Sequence, residues 1–246
     1  MKQKIALVLV ITLFLLPANG DAQTGEFGPG VAPGTAVIWD VEIATNFSMY
    51  YTDGGYCTVE NESTMSFAIS SVDDEVSGFL ELGNVTVETN DTMIALDLTL
   101  GIWPSWLTGL FVEVGEENIN NLNETAYAAA ERVSGNWMNG TMSSHYENIT
   151  VGQVEYTCIV FDYEQDPPGT QVTHLAYTLT EGILIEADTS VTFGSTFRLK
   201  VTLRELGIPG PVDMTVDLGS LIIISGIIGG GLLAIVVLVK IGKSRQ

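Results

Sequence analysis

Basic residues are scarce in this chain of 246 residues: nine Lys and Arg stand against thirty Asp and Glu, for a formal net charge of −21. Phosphate binding needs clustered Lys and Arg, so nucleic acid is excluded as a partner. Histidine is rarer still, with only His145 and His174 to act as neutral-pH bases. Cysteine occurs twice, at Cys57 and Cys158, and no His/Cys cluster has zinc spacing. There is no Gly-x-Ser-x-Gly elbow; Ser144 adjoins His145, but neighbours in a strand point to opposite faces. The one run of three consecutive glycines, Gly229 to Gly231, falls in an apolar segment rather than in a phosphate-binding loop. No enzyme is expected, and a hydrolase using His145 or His174 is the most distant of the functional readings.

What is present first is an address at each end. Residues 1–22 begin with Lys2 and Lys4, continue as IALVLVITLFLL and reach small residues at signal-peptidase spacing, which predicts a secretory signal peptide. An apolar run of about twelve residues is too short to serve as a membrane anchor. Leu218 to Val239 contains no charge and, at about 1.5 Å per residue, is long enough for a transmembrane helix. Asp213 and Asp217 precede it and Lys240, Lys243 and Arg245 follow, so the positive-inside bias places the tail 240–246 in the cytoplasm and residues 23–217 outside. Gly226, Gly230 and Ala234 lie four apart on one helix face, where close approach could support a homodimer.

Residues 23–217 contain all but one of the acidic residues and only Arg132, Arg198, Lys200 and Arg204 as basic ones. Seven Asn-x-Ser/Thr acceptors begin at Asn46, Asn61, Asn84, Asn90, Asn123, Asn139 and Asn148. At this composition chance would supply about two, and the excess predicts an N-glycosylated exported protein. Cys57 and Cys158 both fall in this region, and an even pair in an oxidising compartment is expected to bridge. Such a bridge would close a loop of about 100 residues and restrict the unfolded chain by up to about 4.7 kcal/mol. Two acidic turns, Asp73-Asp74-Glu75 and the one with Asp162, Glu164 and Asp166, are of a kind that takes calcium. Neither has the twelve-residue loop with its glycine and terminal glutamate, so they read as solvated turns and no cofactor is expected.

The hydropathy pattern predicts a mainly β fold: a curved antiparallel sheet, or half-barrel, with one packed helix. Val37, Trp39, Val41 and Ile43 alternate with Asp40 and Glu42. Met65, Phe67 and Ile69 repeat that period, Glu75 to Glu88 reads as a strand or broken hairpin, and Ile94, Leu96, Leu98 and Leu100 read as another strand. The period then lengthens: Ile119, Leu122, Ala126, Ala129 or Ala130, and Val133 recur every three to four residues before Gly135, which predicts a helix. Strands follow at Trp137 to Asn148, Val154 to Tyr163, His174 to Leu179, Ile183 to Val191 and Thr196 to Arg204. A three-residue turn at Phe193 to Ser195 would set Asp188 opposite Lys200.

The segment LAYTLTEGILIEADTSVTFGSTFRLKVTLREL, the opening strand AVIWDVEIA, the WPSWL stretch and the basic tail together resemble archaeal, Asgard-type, secreted surface proteins with a single C-terminal membrane anchor. The hairpins are more faintly similar to lipid carriers of the LolA and LppX type, in which a curved sheet holds a lipid. Neither resemblance implies a catalytic residue.

The segment GIWPSWLTGLF concentrates Trp103, Trp106, Leu107, Leu110 and Phe111 in a connection, where so much apolar area would be costly if exposed. It has three placements: a plug over the apolar face of the sheet, the rim of a ligand cavity, or the membrane interface. The expected function is a membrane-anchored cell-surface glycoprotein ectodomain with a binding or structural role. The alternative is a carrier or sensor of a lipid or other hydrophobic ligand, whose mark would be an open apolar face lined by Trp39, Val41, Leu96, Leu98 and the Trp103 region.

Overall fold

The computed structural model describes residues 26–45, 48–50, 56–103, 105–135, 138–193 and 195–206. The segments expected to be a signal peptide, a transmembrane helix and a tail lie outside them, as does Asn46. Among the described residues no helix is long and apolar enough to cross a membrane. The described residues are mainly β, one large antiparallel sheet with two helices.

Nine strands form the sheet: β1 (Ala36–Thr45), β4 (Ser63–Val72), β5 (Val76–Leu82), β6 (Val85–Asn90), β9 (Gly140–Val151), β10 (Val154–Gln165), β11 (Val172–Thr178), β12 (Leu184–Phe193) and β13 (Ser195–Leu206). Their spatial order is β6-β5-β4-β1-β13-β12-β11-β10-β9. Two consecutive hairpin runs, β4 to β6 and β9 to β13, are joined by the first strand, which pairs with β4 on one side and β13 on the other. Short strands β2 (Ser48–Tyr50) and β3 (Tyr56–Thr58) form a separate hairpin, as do β7 (Gly101–Ile102) and β8 (Trp106–Leu107).

The period-two pattern sorts the two faces. Val37, Trp39, Val41, Met65, Phe67, Leu80, Phe161, Leu199 and Val201 are buried on one of them. Ile43 leaves the alternation because the β1–β13 register shifts between Val41 and Ile43, an irregularity that reassigns every later side chain of the strand. The last hairpin has the expected register, with Asp188 opposite Lys200.

One expected strand is a helix. Residues Asp91–Asp97 form α1, capped by Asn90, whose side-chain oxygen accepts the Met93 N–H at 2.9 Å. Ile94, Ala95 and the capping Leu98 are buried, whereas Leu96 is 44% exposed. Alternation of four apolar residues suited a strand, but the cap and the acidic first turn favour the helix and turn Leu96 outward. The sheet is therefore covered by two helices where one was expected. The second, α2 (Glu116–Val133), falls where the longer period places it and buries Ile119, Ala126, Ala129, Ala130 and Val133.

Candidate functional site

Gly101 to Val112 lies against the apolar face. Its backbone, which leaves the regular ladders, is satisfied by polar side chains rising from the sheet. Gly101 O accepts from Gln171 Nε2 at 2.7 Å and from Thr173 Oγ1 at 3.0 Å. Thr99 O accepts from Thr189 Oγ1 at 2.9 Å, and Gly109 O from the Tyr177 hydroxyl at 2.8 Å. Val112 N–H donates to Gly182 O at 2.7 Å, and Leu110 O accepts the Leu184 N–H at 2.9 Å. Gly182 sits at φ +68, and a Cβ there would stand 2.0 Å from Val112 O, so the turn before β12 is fitted to this segment.

Asp91 ties the segment to α1. Its Oδ1 accepts Leu110 N–H at 2.6 Å and its Oδ2 accepts Phe111 N–H at 3.3 Å. Burial pushes this carboxyl up to about 7 despite the two N–H donors, which favour its charged form. Gly109 leaves room for it: a Cβ at that position would lie 2.0 Å from the carboxyl group.

The apolar side chains complete the cover. Trp106 is 6% exposed, its ring centroid 5.2 Å from that of Phe161. Leu110 is buried, and Phe111 lies between Trp39 and Phe67 at centroid distances of 6.5 and 5.6 Å. Trp103 and Leu107 are half-buried. Trp39 donates its indole N–H to Leu184 O at 2.8 Å. Of the residues that would line an open apolar face, Trp39, Val41 and Leu98 are wholly buried and Leu96 faces outward.

The opposite face carries a charged row. Register aligns Asp162 with His174, His174 with Asp188, and Asp188 with Lys200. Asp162 serves both histidines: Oδ1 meets His174 Nδ1 at 2.8 Å and Oδ2 lies 3.8 Å from His145 Nδ1. Arg198 grips Asp188 with two hydrogen bonds of 2.9 and 2.7 Å. Lys200 donates to Glu42 at 2.6 Å and reaches Glu186 at 3.6 Å, while Arg204 pairs with Asp40. The hydrogen bonds from Lys200 and Thr202 hold Glu42 below the usual carboxylate range. All three basic residues of β13 are thus matched by neighbouring acids.

The serine beside His145 belongs to the other face. Ser144 Oγ donates to Asn123 Oδ1 at 2.6 Å, and Ser144 N–H donates to the Tyr127 hydroxyl at 3.0 Å, both on α2. Among the described residues no group of three or more His, Cys, Asp and Glu is arranged to hold a metal ion. Of the two acidic turns, Glu75 bonds Asn90 and Thr92, and Asp166 bonds Asn139. An open groove of about 510 Å³ runs between α2 and β9, bordered by Glu124, Tyr127, Glu131 and Met142. It has no counterpart in the sequence-based expectations, because it depends on how α2 lies beside β9.

No Cys57–Cys158 bridge is seen. Cys158 is a buried free thiol whose Sγ is 3.6 Å from Tyr156 O, and burial raises it to about 11. The side chain of Cys57 lies outside the described residues. The sequon asparagines differ in their surroundings. Asn61, Asn84 and Asn148 are exposed. Asn90 caps α1 and donates to Glu75, Asn123 accepts from Ser144, and Asn139 bridges Gly135 and Asp166.

Comparison with family models, curated proteins and solved structures finds no match to this chain.

Proposed function

We propose that the chain is a membrane-anchored cell-surface glycoprotein, an extracellular β-rich domain with a binding or structural role and no catalytic activity. The observation that carries this reading is the conjunction of seven sequons with a C-terminal apolar segment of transmembrane length in one strongly acidic chain. The filled apolar face favours it over the carrier reading, since Trp106, Leu110 and Phe111 occupy the place a captured lipid would take. The half-barrel curvature, the signal peptide, the archaeal affinity and pairing through Gly226, Gly230 and Ala234 belong to the same proposal.

Protease added to intact cells tests it. Digestion of the domain with protection of the segment after Lys240 is the expected result, and a protected domain would reverse the topology. Carriage of lipid is checked on the same material: lipid bound stoichiometrically to the purified chain after detergent exchange would restore the carrier reading.

A further inference from the structure

Five of the seven sequon asparagines lie at the sheet's two outermost strands or on α2 beside one of them, whereas Asn61 precedes β4 and accepts the Ala44 N–H of β1 at 2.7 Å. Its two outermost strands are β6 and β9, each paired on one side only among the described residues. Asn84 and Asn90 bracket β6; Asn139 immediately precedes β9, and Asn148 lies within it. Asn123 sits on α2 and bonds β9 through Ser144. The seven inner strands contain no sequon asparagine.

An open edge is a hazard, because unpaired N–H and C=O groups accept a strand from another molecule. On β9 the first half is screened by α2, where the Tyr127 hydroxyl takes the Ser144 N–H. Pairing with β10 runs without a register shift, so outward backbone groups recur every second residue, at Ser144, Tyr146 and Asn148. The second half of β9 has no such cover from α2, and there Tyr146 is 62% exposed. Asn148 falls in that half, at an outward-facing position. On β6, Asn84 occupies the exposed turn that enters the strand from β5.

We propose that sugars on Asn84 and Asn148, one at each edge, cap the sheet against strand addition by a second copy of this chain. The inference rests on the glycoprotein reading. A branched sugar beside an edge strand occupies the space an incoming strand needs, about 4.8 Å away. Asn90 is tied down as the α1 cap, Asn123 lies on α2 against Ser144, and Asn139 lies in the turn before β9 bonded to Gly135 and Asp166, so these three are not the capping sites. Asn148 remains available because its single bond, Nδ2 to Glu155 Oε1 at 3.2 Å, is exposed and uses only one of its two N–H groups.

The test uses the full chain produced in a glycosylating host, as wild type, Asn84→Gln, Asn148→Gln, the double variant and an Asn61→Gln control. Glycopeptide mass mapping reports occupancy, thermal unfolding reports folding, and light scattering with a β-aggregate dye reports self-association. The expected result is occupancy at Asn84 and Asn148, an unchanged melting temperature, and at least several-fold faster association of the double variant but not of Asn61→Gln. Enzymatic removal of the sugars from the wild type should reproduce it without any substitution. Occupied sites with no faster association in either form would overturn edge capping and leave the glycoprotein reading intact. Absence of sugar at every sequon would overturn the glycoprotein reading itself, and occupancy confined to Asn90, Asn123 or Asn139 would overturn the assignment of sites.

Discussion

The Asp91 carboxylate holds the backbone of Leu110: a buried side chain at the start of α1 accepts, at 2.6 Å, an N–H from a residue nineteen positions further along. Together with the Phe111 contact, this bond fixes where the tryptophan-rich segment lies on the sheet.

A pH dependence follows from it. Asp91 titrates at about 7 in the fold against 3.8 for the free side chain, and burial moves Asp97 the same way, to about 6. The folded state therefore holds more protons than the unfolded state between these values. What these two groups contribute to stability is full below about pH 4, falls as pH rises to about 7, and is flat above that. For each group the slope is at most about 1.4 kcal/mol per pH unit. Urea unfolding of the purified chain between pH 4 and 8 should show the decline, and Asp91→Asn should flatten it. A stability that rises over this range would contradict the burial of Asp91.

Gly109→Ala should be strongly destabilising, because its Cβ has no space beside the Asp91 carboxyl. The cost should shrink in an Asp91→Ala background, where that carboxyl is gone. A double-mutant cycle measures the coupling, and additive effects would show that the two residues do not meet.

Trp106→Ala should cost about 3–5 kcal/mol by opening a cavity against Phe161, and Trp103→Ala distinctly less because Trp103 is half-buried. Chemical unfolding gives both values. Tryptophan emission should not respond to lipid vesicles. Intact stability in Trp106→Ala would remove the plug.

Cys158 should resist thiol-directed reagents at neutral pH in the folded chain and react in denaturant without reductant, since burial keeps it a protonated thiol. Failure to label in denaturant until a reductant is added would reveal a disulfide in the exported protein.

Most of the sheet was legible in the sequence because its faces differ so sharply. Trp39 beside Asp40, and Leu199 beside Lys200, define a period of two that leaves little choice of face. The register of Asp188 with Lys200 followed from a short turn alone. Strand order was not legible: nothing local in AVIWDVEIA says that it pairs with the last strand as well as with β4. Ile94 to Leu100 misled because four alternating leucines and isoleucines satisfy a strand template, while the helix is decided by one cap at Asn90 and by the tertiary bond from Asp91. The density of apolar residues in GIWPSWLTGLF marked it as important, but of the polar side chains that anchor it, Thr173, Tyr177 and Thr189 lie in strands where each reads as an ordinary member of the alternation, and Gln171 just precedes β11 with no motif around it. The groove beside α2 was invisible for a similar reason, being made by packing between segments rather than by any motif.

The place of β1 has a consequence for how the protein is made. Val37 is paired with Leu206, about 170 residues later in the chain. At ordinary synthesis rates of roughly 5–20 residues per second, β1 waits on the order of ten seconds or more before its second neighbour exists. Throughout that time the hairpin group β1, β4, β5 and β6 presents a long unpaired strand. Contacts this distant in sequence also make the final closure slow. The seam between β1 and β13 thus depends on a complete domain: a chain that stops short of Ser195 lacks β13 and cannot close it.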